Sequence, residues 1–524
     1  MNSSDSKFNR FRSNRPVDVV NLAFLIFIAT VYSVYMHKMY FDITGTRGSV
    51  FTFGSLIYTI LIMVSFALEI FMIRYYGTDK PLFFKDSKVI AMPELWILLF
   101  LLANVFAWFM SDNKAGSWSG DTGRFFGLSL VLVITVVVLL LSRETNINGL
   151  VFISMSVTAA AAFIIAFAQH FGKDPFSLRE RIVDKQKEMF ISTFGNINTY
   201  ASYICVVLPI FVAVFIFGSK LVMRIIAAIM IVLSGIAIIP AKSDNVYLGA
   251  GLAFVVLLYV AIYNKKFTEY IFAVLMLLLG LDIMAFLNKK WMGSQKHING
   301  IAKIVENPKI MTLFLVAVLA VLILSLIFRG MNYEMYKKIQ CKKTLLILTA
   351  VFIICGIGLT VWGVKTGNEF FKFNDKWGTF RGYIWRRGVS LFKEASPFQK
   401  LFGYGNETIG EQMKIRYYNE MVDITGKKYD NLHNELLQYL VTTGLFGLIS
   451  YVGFVSSSFI YIGKRMKDDP IAIGCLASGV AYFAQGLVNL NQPITTPFFF
   501  VVVAAGIGYV RYKAQGYGRF QKDI

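Results

Sequence analysis

Residues 309–328 read KIMTLFLVAVLAVLILSLIF. After Lys309 the run carries no charge, and its apolar residues follow one another without alternation. A helix needs roughly 20 such residues to cross the hydrocarbon core of a bilayer. A barrel strand would instead alternate lipid-facing and lumen-facing positions, so the unbroken run favours a helix. Similar runs recur along the whole chain. They lie at about 18–37, 51–72, 89–110, 124–141, 150–170, 200–217, 222–240, 245–263, 267–287, 344–364, 434–462, 470–489 and 493–511. With 309–328 they make about twelve to fourteen transmembrane helices, the short break at Pro240–Asn245 being the least distinct boundary.

Composition agrees. Of 524 residues, 56% are hydrophobic and only 16% charged, and 48 are Phe. A soluble protein of this length has no use for so much apolar surface, whereas a lipid-facing exterior does. The expected fold is an all-α integral membrane protein. Its parts are a polar tail 1–17, a transmembrane bundle 18–364, a loop with short helices 365–430, a last group of three helices 431–511, and a tail 512–524. The polar, basic lead-in before Val17 is followed by no small-residue cleavage site, which reads as an uncleaved first span. Four cysteines (Cys205, Cys341, Cys355 and Cys475) have no metal-ligand spacing and suggest neither a disulfide framework nor a metal centre.

The formal net charge is +21. In a membrane protein part of this is topological, because Lys and Arg gather in cytoplasmic loops. With the N-terminus inside, the inner segments hold Lys7, Arg10, Arg12 and Arg15, then Arg74, Lys80, Lys85 and Lys88. Further inner charges are Arg329, Lys337, Lys338, Lys342 and Lys343, then Lys464, Arg465 and Lys467, with Arg511, Lys513, Arg519 and Lys522 near the end. Both termini are therefore expected in the cytoplasm. The opposite face is also basic, in 171–199, in 288–308 with Lys289, Lys290, Lys296 and Lys303, and in the long loop. Long loops cross regardless of charge, so a basic outer face points either to an anionic ligand there or to lipid headgroups and solubility. The charge is not read as a nucleic-acid footprint.

Chemistry concentrates at Asp430-Asn431-Leu432-His433-Asn434-Glu435-Leu436-Leu437, where the loop meets a span. Asp430 or Asn431 is the expected N-cap, which places His433 in the first helical turn. There the helix dipole disfavours imidazolium, and a neutral imidazole can act as general base. A lone boundary histidine also has an ordinary structural reading. The other three histidines, His37, His170 and His297, have weaker settings. Arg381, in Thr379-Phe380-Arg381-Gly382-Tyr383-Ile384-Trp385-Arg386-Arg387, is the second candidate. A guanidinium fork binds phosphate bidentately, and Arg381, Arg386 and Arg387 together could hold a diphosphate. The same three could equally form a solvated basic face against headgroups. Asn196 and Asn198, at the entrance of the sixth span, suggest capping and turn chemistry. Arg124 opens the fourth span and faces the same vestibule or snorkels to lipid. No phosphate loop, zinc-ligand histidine pair or serine nucleophile elbow is present.

His433-Asn434-Glu435-Leu436-Leu437, followed by Gly444, Gly447 and Tyr451, resembles the signature of the O-antigen ligase and polymerase family. Arg381, Trp385, Pro397 and Gly403-Tyr404-Gly405 ahead of it look similar to that family's loop, and Gln169 to Phe176 with Phe194 to Asn198 to its middle region. The resemblance spans about residues 90 to 510. It implies a metal-independent, inverting C-type membrane glycosyltransferase in a bacterial cytoplasmic membrane, with no cofactor. Such an enzyme passes a glycan from an undecaprenyl-diphosphate carrier to an acceptor glycan or lipid, with a flippase and a chain-length regulator as partners. His433 would assist the acceptor hydroxyl, and Arg381 would grip the diphosphate. Arg386, Arg387, Arg124, Lys242, Asn196, Asn198 and Asn434 would line the donor site. Two departures stand out. Lys242-Ser243-Asp244-Asn245 lies where the family often has a Ser-Arg-Gly turn, so the expected arginine is missing. The N-terminus also carries spans beyond the usual dozen. The Lys-, Ile- and Asn-rich composition favours surface-polysaccharide polymerisation, or transfer to a wall acceptor, over ligation to a lipid A core. A non-enzymatic transporter or flippase for an anionic solute or lipid-linked glycan is the alternative, and it would need charges deep in the spans.

Overall fold

The computed structural model describes residues 15–76, 91–291, 301–367 and 371–514. Lys7, Arg10, Arg12, Lys80, Lys85, Lys88, Lys296, His297, Arg519 and Lys522 lie outside them. Among the described residues, twelve helical segments are long and apolar enough to cross a membrane. The first joins α1 (Pro16–Ala29) to the turn α2 (Val31–Val34). Then come α3 (Ile43–Tyr76), α4 (Met92–Met110), a short α5 (Lys114–Ser119), α6 (Leu128–Leu141), α7 (Gly149–His170), α8 (Ile197–Phe217), α9 (Leu221–Ile238), α10 (Asn245–Tyr263) and α11 (Phe267–Trp291). The second half has α12 (Ile301–Val305), α13 (Pro308–Met331), α14 (Tyr333–Ile339), α15 (Lys342–Lys365), α16 (Trp377–Glu394), α17 (Pro397–Phe402), α18 (Ile409–Thr425), α19 (Glu435–Thr442), α20 (Gly444–Gly463), α21 (Pro470–Gly486) and α22 (Thr496–Ala514). α6 and α21 are apolar but shorter. The protein is an all-α multi-pass membrane protein, and an apolar helix stands at each of the fourteen expected spans.

Local chemistry sets the helix ends. Asp469 accepts from the backbone N–H groups of Ile471 and Ala472, and Pro470 takes the first helical position, so α21 starts there. α8 is the hub: most of its residues are buried, and it packs on α9, α10 and α21. α9 and α11 meet through Gly235 and Gly280. A Cβ on Gly235 would stand 2.4 Å from the Leu277 carbonyl, so the two backbones touch only because both residues are glycine. α15 lies at the periphery, where Tyr259 on α10 bonds Thr349. Most of its surface is exposed, as a lipid-covered helix allows.

Polar contacts sort the connections into two faces. On one, Arg15 pairs with Glu144 at 2.6 Å, Arg511 with Glu94 at 2.5 Å, and Lys513 with Asp469 at 2.5 Å. On the other, Arg47 donates to the Thr193 carbonyl at 2.6 Å, Lys242 lies 3.7 Å from Glu188, and Arg124 pairs with Asp430 at 3.0 Å. A two-strand hairpin, β1 (Phe190–Ile191) with β2 (Gly195–Asn196), also lies on this loop face.

The run expected as one span at 434–462 is two helices, broken at Thr443–Gly444. The break has a partner. The loop segment Gly403–Gly405 crosses it, and the Tyr404 and Gly405 N–H groups donate to the freed carbonyls of Val441 and Thr442 at 3.1 and 3.0 Å. Gly403 and Gly444 both hold positive φ, and a Cβ on either would strike backbone atoms of the other segment within 2.5 Å. The loop helices have their own small core, with Tyr383, Ile384, Leu391, Met413 and Leu432 at its centre.

Candidate active site

The site forms where α16 lies against the segment leading into α19. Trp385 donates its indole N–H to the Leu432 carbonyl at 3.0 Å. Gly388 leaves room for the Leu432 side chain, which a Cβ would meet at 2.9 Å. His433 follows directly. It is not in the first helical turn as expected, because the N-cap is Asn434, whose side chain accepts from the Leu437 N–H at 3.0 Å. Asn431 instead caps His433 itself, accepting its backbone N–H at 2.8 Å. His433 takes a left-handed conformation with φ +49, which costs a non-glycine residue about 1–2 kcal/mol. The segment is therefore held against local preference.

The imidazole is neutral, for a reason other than the helix dipole. Burial comes first and the nearby Arg381 guanidinium second, with Arg124 adding to it; together they push its pKa down to about 4. Nδ1 lies 3.3 Å from the Asn431 carbonyl. A carbonyl only accepts, so Nδ1 carries the proton and Nε2 keeps a free lone pair.

Arg381 enters α16 after three residues with positive φ, Gly378, Thr379 and Phe380. Its Nη1 makes a long contact of 3.4 Å to the Gly378 carbonyl, and its buried Nε has no partner. Among the described residues no carboxylate lies within ion-pair distance of it. Burial lowers its pKa, and Asp244 and Tyr429 oppose that; an arginine still remains charged.

Arg124 joins this neighbourhood but is occupied. Its guanidinium pairs with Asp430, and its backbone N–H donates to Glu407 at 2.6 Å. Burial raises the Glu407 carboxyl to about 7 despite that bond. Arg386 and Arg387 do not join Arg381 in a three-arginine clamp. Five and six positions further along the helix, they turn to other sides and pair with Asp375 and Glu420. With Lys393 they rim a separate groove of about 730 Å³, which Asn434 also lines and whose floor is Leu436, Leu437 and Leu440. Asn196 caps α8, accepting from the Asn198 N–H at 2.8 Å. Asn198 accepts from Ser243 at 2.8 Å and so fixes the turn carrying Lys242 and Asp244. Lys242 acts on Glu306, whose carboxyl burial raises to about 7.

Asp430, Glu407, Asp244 and Tyr429 were not singled out from the sequence as site residues. Asp430 was legible only as a capping candidate. Glu407 had no local signal, since its partner lies 283 positions away.

No curated protein matches the chain. Residues 307–452, from the residue before α13 through the whole loop and the His433 segment into α20, match the family model described as O-antigen ligase, so this multi-pass membrane protein carries an O-antigen ligase domain.

Proposed function

We propose that this membrane glycan-transfer enzyme moves a glycan from an undecaprenyl-diphosphate carrier to a hydroxyl of an acceptor glycan or lipid, without a metal and with inversion. The observation that carries the reading is the pairing of Arg381, a guanidinium whose buried Nε has no partner and which has no carboxylate in ion-pair distance among the described residues, with a neutral imidazole, His433, in one partly buried site. The acceptor oxygen attacks the anomeric carbon from the side opposite the diphosphate. The bond from that carbon to the diphosphate oxygen breaks, and its electron pair leaves with undecaprenyl diphosphate. The hydroxyl proton passes to Nε2 of His433. Arg381 meets the charge that grows on the leaving group, which a buried donor does far better than water. The loop face is then the outer face of a bacterial cytoplasmic membrane, with both termini inside, as the basic inner segments support. A flippase that delivers the donor and a chain-length regulator are the proposed partners. The Lys-, Ile- and Asn-rich composition favours polymerisation or transfer to a wall acceptor.

Purified protein in nanodiscs, given a lipid-linked glycan, tests this. His433→Ala is expected to slow turnover by about 10²–10⁴-fold, and Arg381→Ala by about 10²–10³-fold, with both variants inserted and folded. Turnover should continue in EDTA. Near-normal turnover in both variants would overturn the assignment.

A further inference from the structure

A second pocket, of about 570 Å³, opens on the loop face between the end of α2 and the start of α3. It lies outside the matched domain and is built by the N-terminal spans. Three aromatic rings reach it: Tyr35, Phe41 and Phe125, which are 45%, 71% and 39% exposed. Between them stands the Asp42 carboxylate, held by the His37 ring at 2.9 Å and the Lys38 N–H at 3.1 Å. Thr46 and Ser49 follow Asp42 at helical spacing, so the residue before α3 and the first turns of α3 bring a carboxylate and two hydroxyls to the pocket. Phe125 lies against Gly45 of α3. Its φ is +59, and its ring lies where a Cβ on Gly45 would meet it at 3.4 Å.

The charge is unlike that of the surrounding face. The net charge of the chain is +21, yet no lysine or arginine lines this pocket. An anionic headgroup or phosphate would find no partner there. Flat aromatic faces beside hydroxyl and carboxylate acceptors suit a neutral pyranose, which presents C–H groups on one face and hydroxyls around its rim. The pocket also adjoins the site. Phe125 follows Arg124, Arg124 pairs with Asp430, and Asp430 lies three residues before His433.

Resting on the reading of the chain as a glycan-transfer enzyme, we infer that the Tyr35–Asp42–Phe125 pocket is a subsite for uncharged saccharide, holding the glycan strand that extends from the Arg381–His433 site. It binds by stacking and hydrogen bonding and takes no part in bond making.

The test uses the full chain in nanodiscs and oligosaccharides released by mild acid from the host's own lipid-linked glycan. Saturation-transfer NMR should show sugar protons in contact with the wild-type protein. Phe41→Ala combined with Asp42→Asn should weaken binding by about tenfold or more. Ser49→Trp, an exposed substitution that fills the pocket, should do the same, and both should raise the acceptor KM while leaving kcat nearly unchanged. His433→Ala should bind the oligosaccharide as the wild type does. No binding by the wild type, or equal binding by the two pocket variants, would overturn the subsite. Binding that obeys these rules in a protein without turnover would leave the subsite standing and remove the glycosyl-transfer reading instead.

Discussion

Protonating His433 would add a positive charge beside Arg381 and Arg124 in a partly buried place, so the imidazole resists it. The sign follows. A group whose pKa is depressed to about 4 changes charge only as pH falls through that value. The kcat/KM of the free enzyme should therefore hold level from pH 8 to about 5 and fall below about 4, not near the ordinary imidazole value of about 6.5. Arg381→Gln should move the His433 pKa upward, read by NMR titration of the labelled ring. An upward shift of the same sign should accompany diphosphate binding, because an anion on Arg381 cancels the charge that opposes protonation. An unchanged titration in Arg381→Gln would show that the two side chains do not act on each other. The sequence singled out both residues, since each sits in a recognisable motif. It misjudged the backbone around His433, where Asp430 or Asn431 is the expected cap and the packing of Leu432 under Trp385 and Gly388 goes with Asn434 instead. It also grouped Arg386 and Arg387 with Arg381, because the acids that claim them, Asp375 and Glu420, show no helical spacing to them.

At the scale of elements, the break between α19 and α20 holds the His433 segment to the loop. Hydropathy runs straight through Thr443–Gly444, so the sequence showed one span there. What ends α19 is distant backbone: the Gly403–Gly405 segment supplies the N–H groups that its last carbonyls need. Gly403→Ala and Gly444→Ala are each expected to cost about 2 kcal/mol or more, since a side chain there meets both positive φ and a backbone clash. Thermal unfolding in detergent measures the loss. Gly426, whose positive φ faces open space, serves as a milder control. If Gly403→Ala and Gly444→Ala unfold no earlier than Gly426→Ala, the crossing does not hold the segment. The long apolar spans, by contrast, were legible because bilayer thickness imposes length and composition on each of them separately.

Across the whole molecule, each polar pair that ties connections together joins segments of one face. Lys400→Cys, in a cysteine-free background, should react with an impermeant maleimide added outside intact cells, and labelling only after permeabilisation would reverse the orientation. Arg511→Ala strands Glu94 in the bundle and is expected to cost about 3–5 kcal/mol, as the loss of one partner of a buried ion pair does, with thermal unfolding as the measure. Sidedness also restricts how such a chain can be rebuilt. Inserting or deleting one crossing between the start of α10 and α16 would carry Arg381 and His433 to the opposite side from Arg124 and Asp244, whereas adding or removing a hairpin of two crossings there leaves every partner in reach. Lineages of this architecture should accordingly differ by even numbers of crossings between α10 and α16.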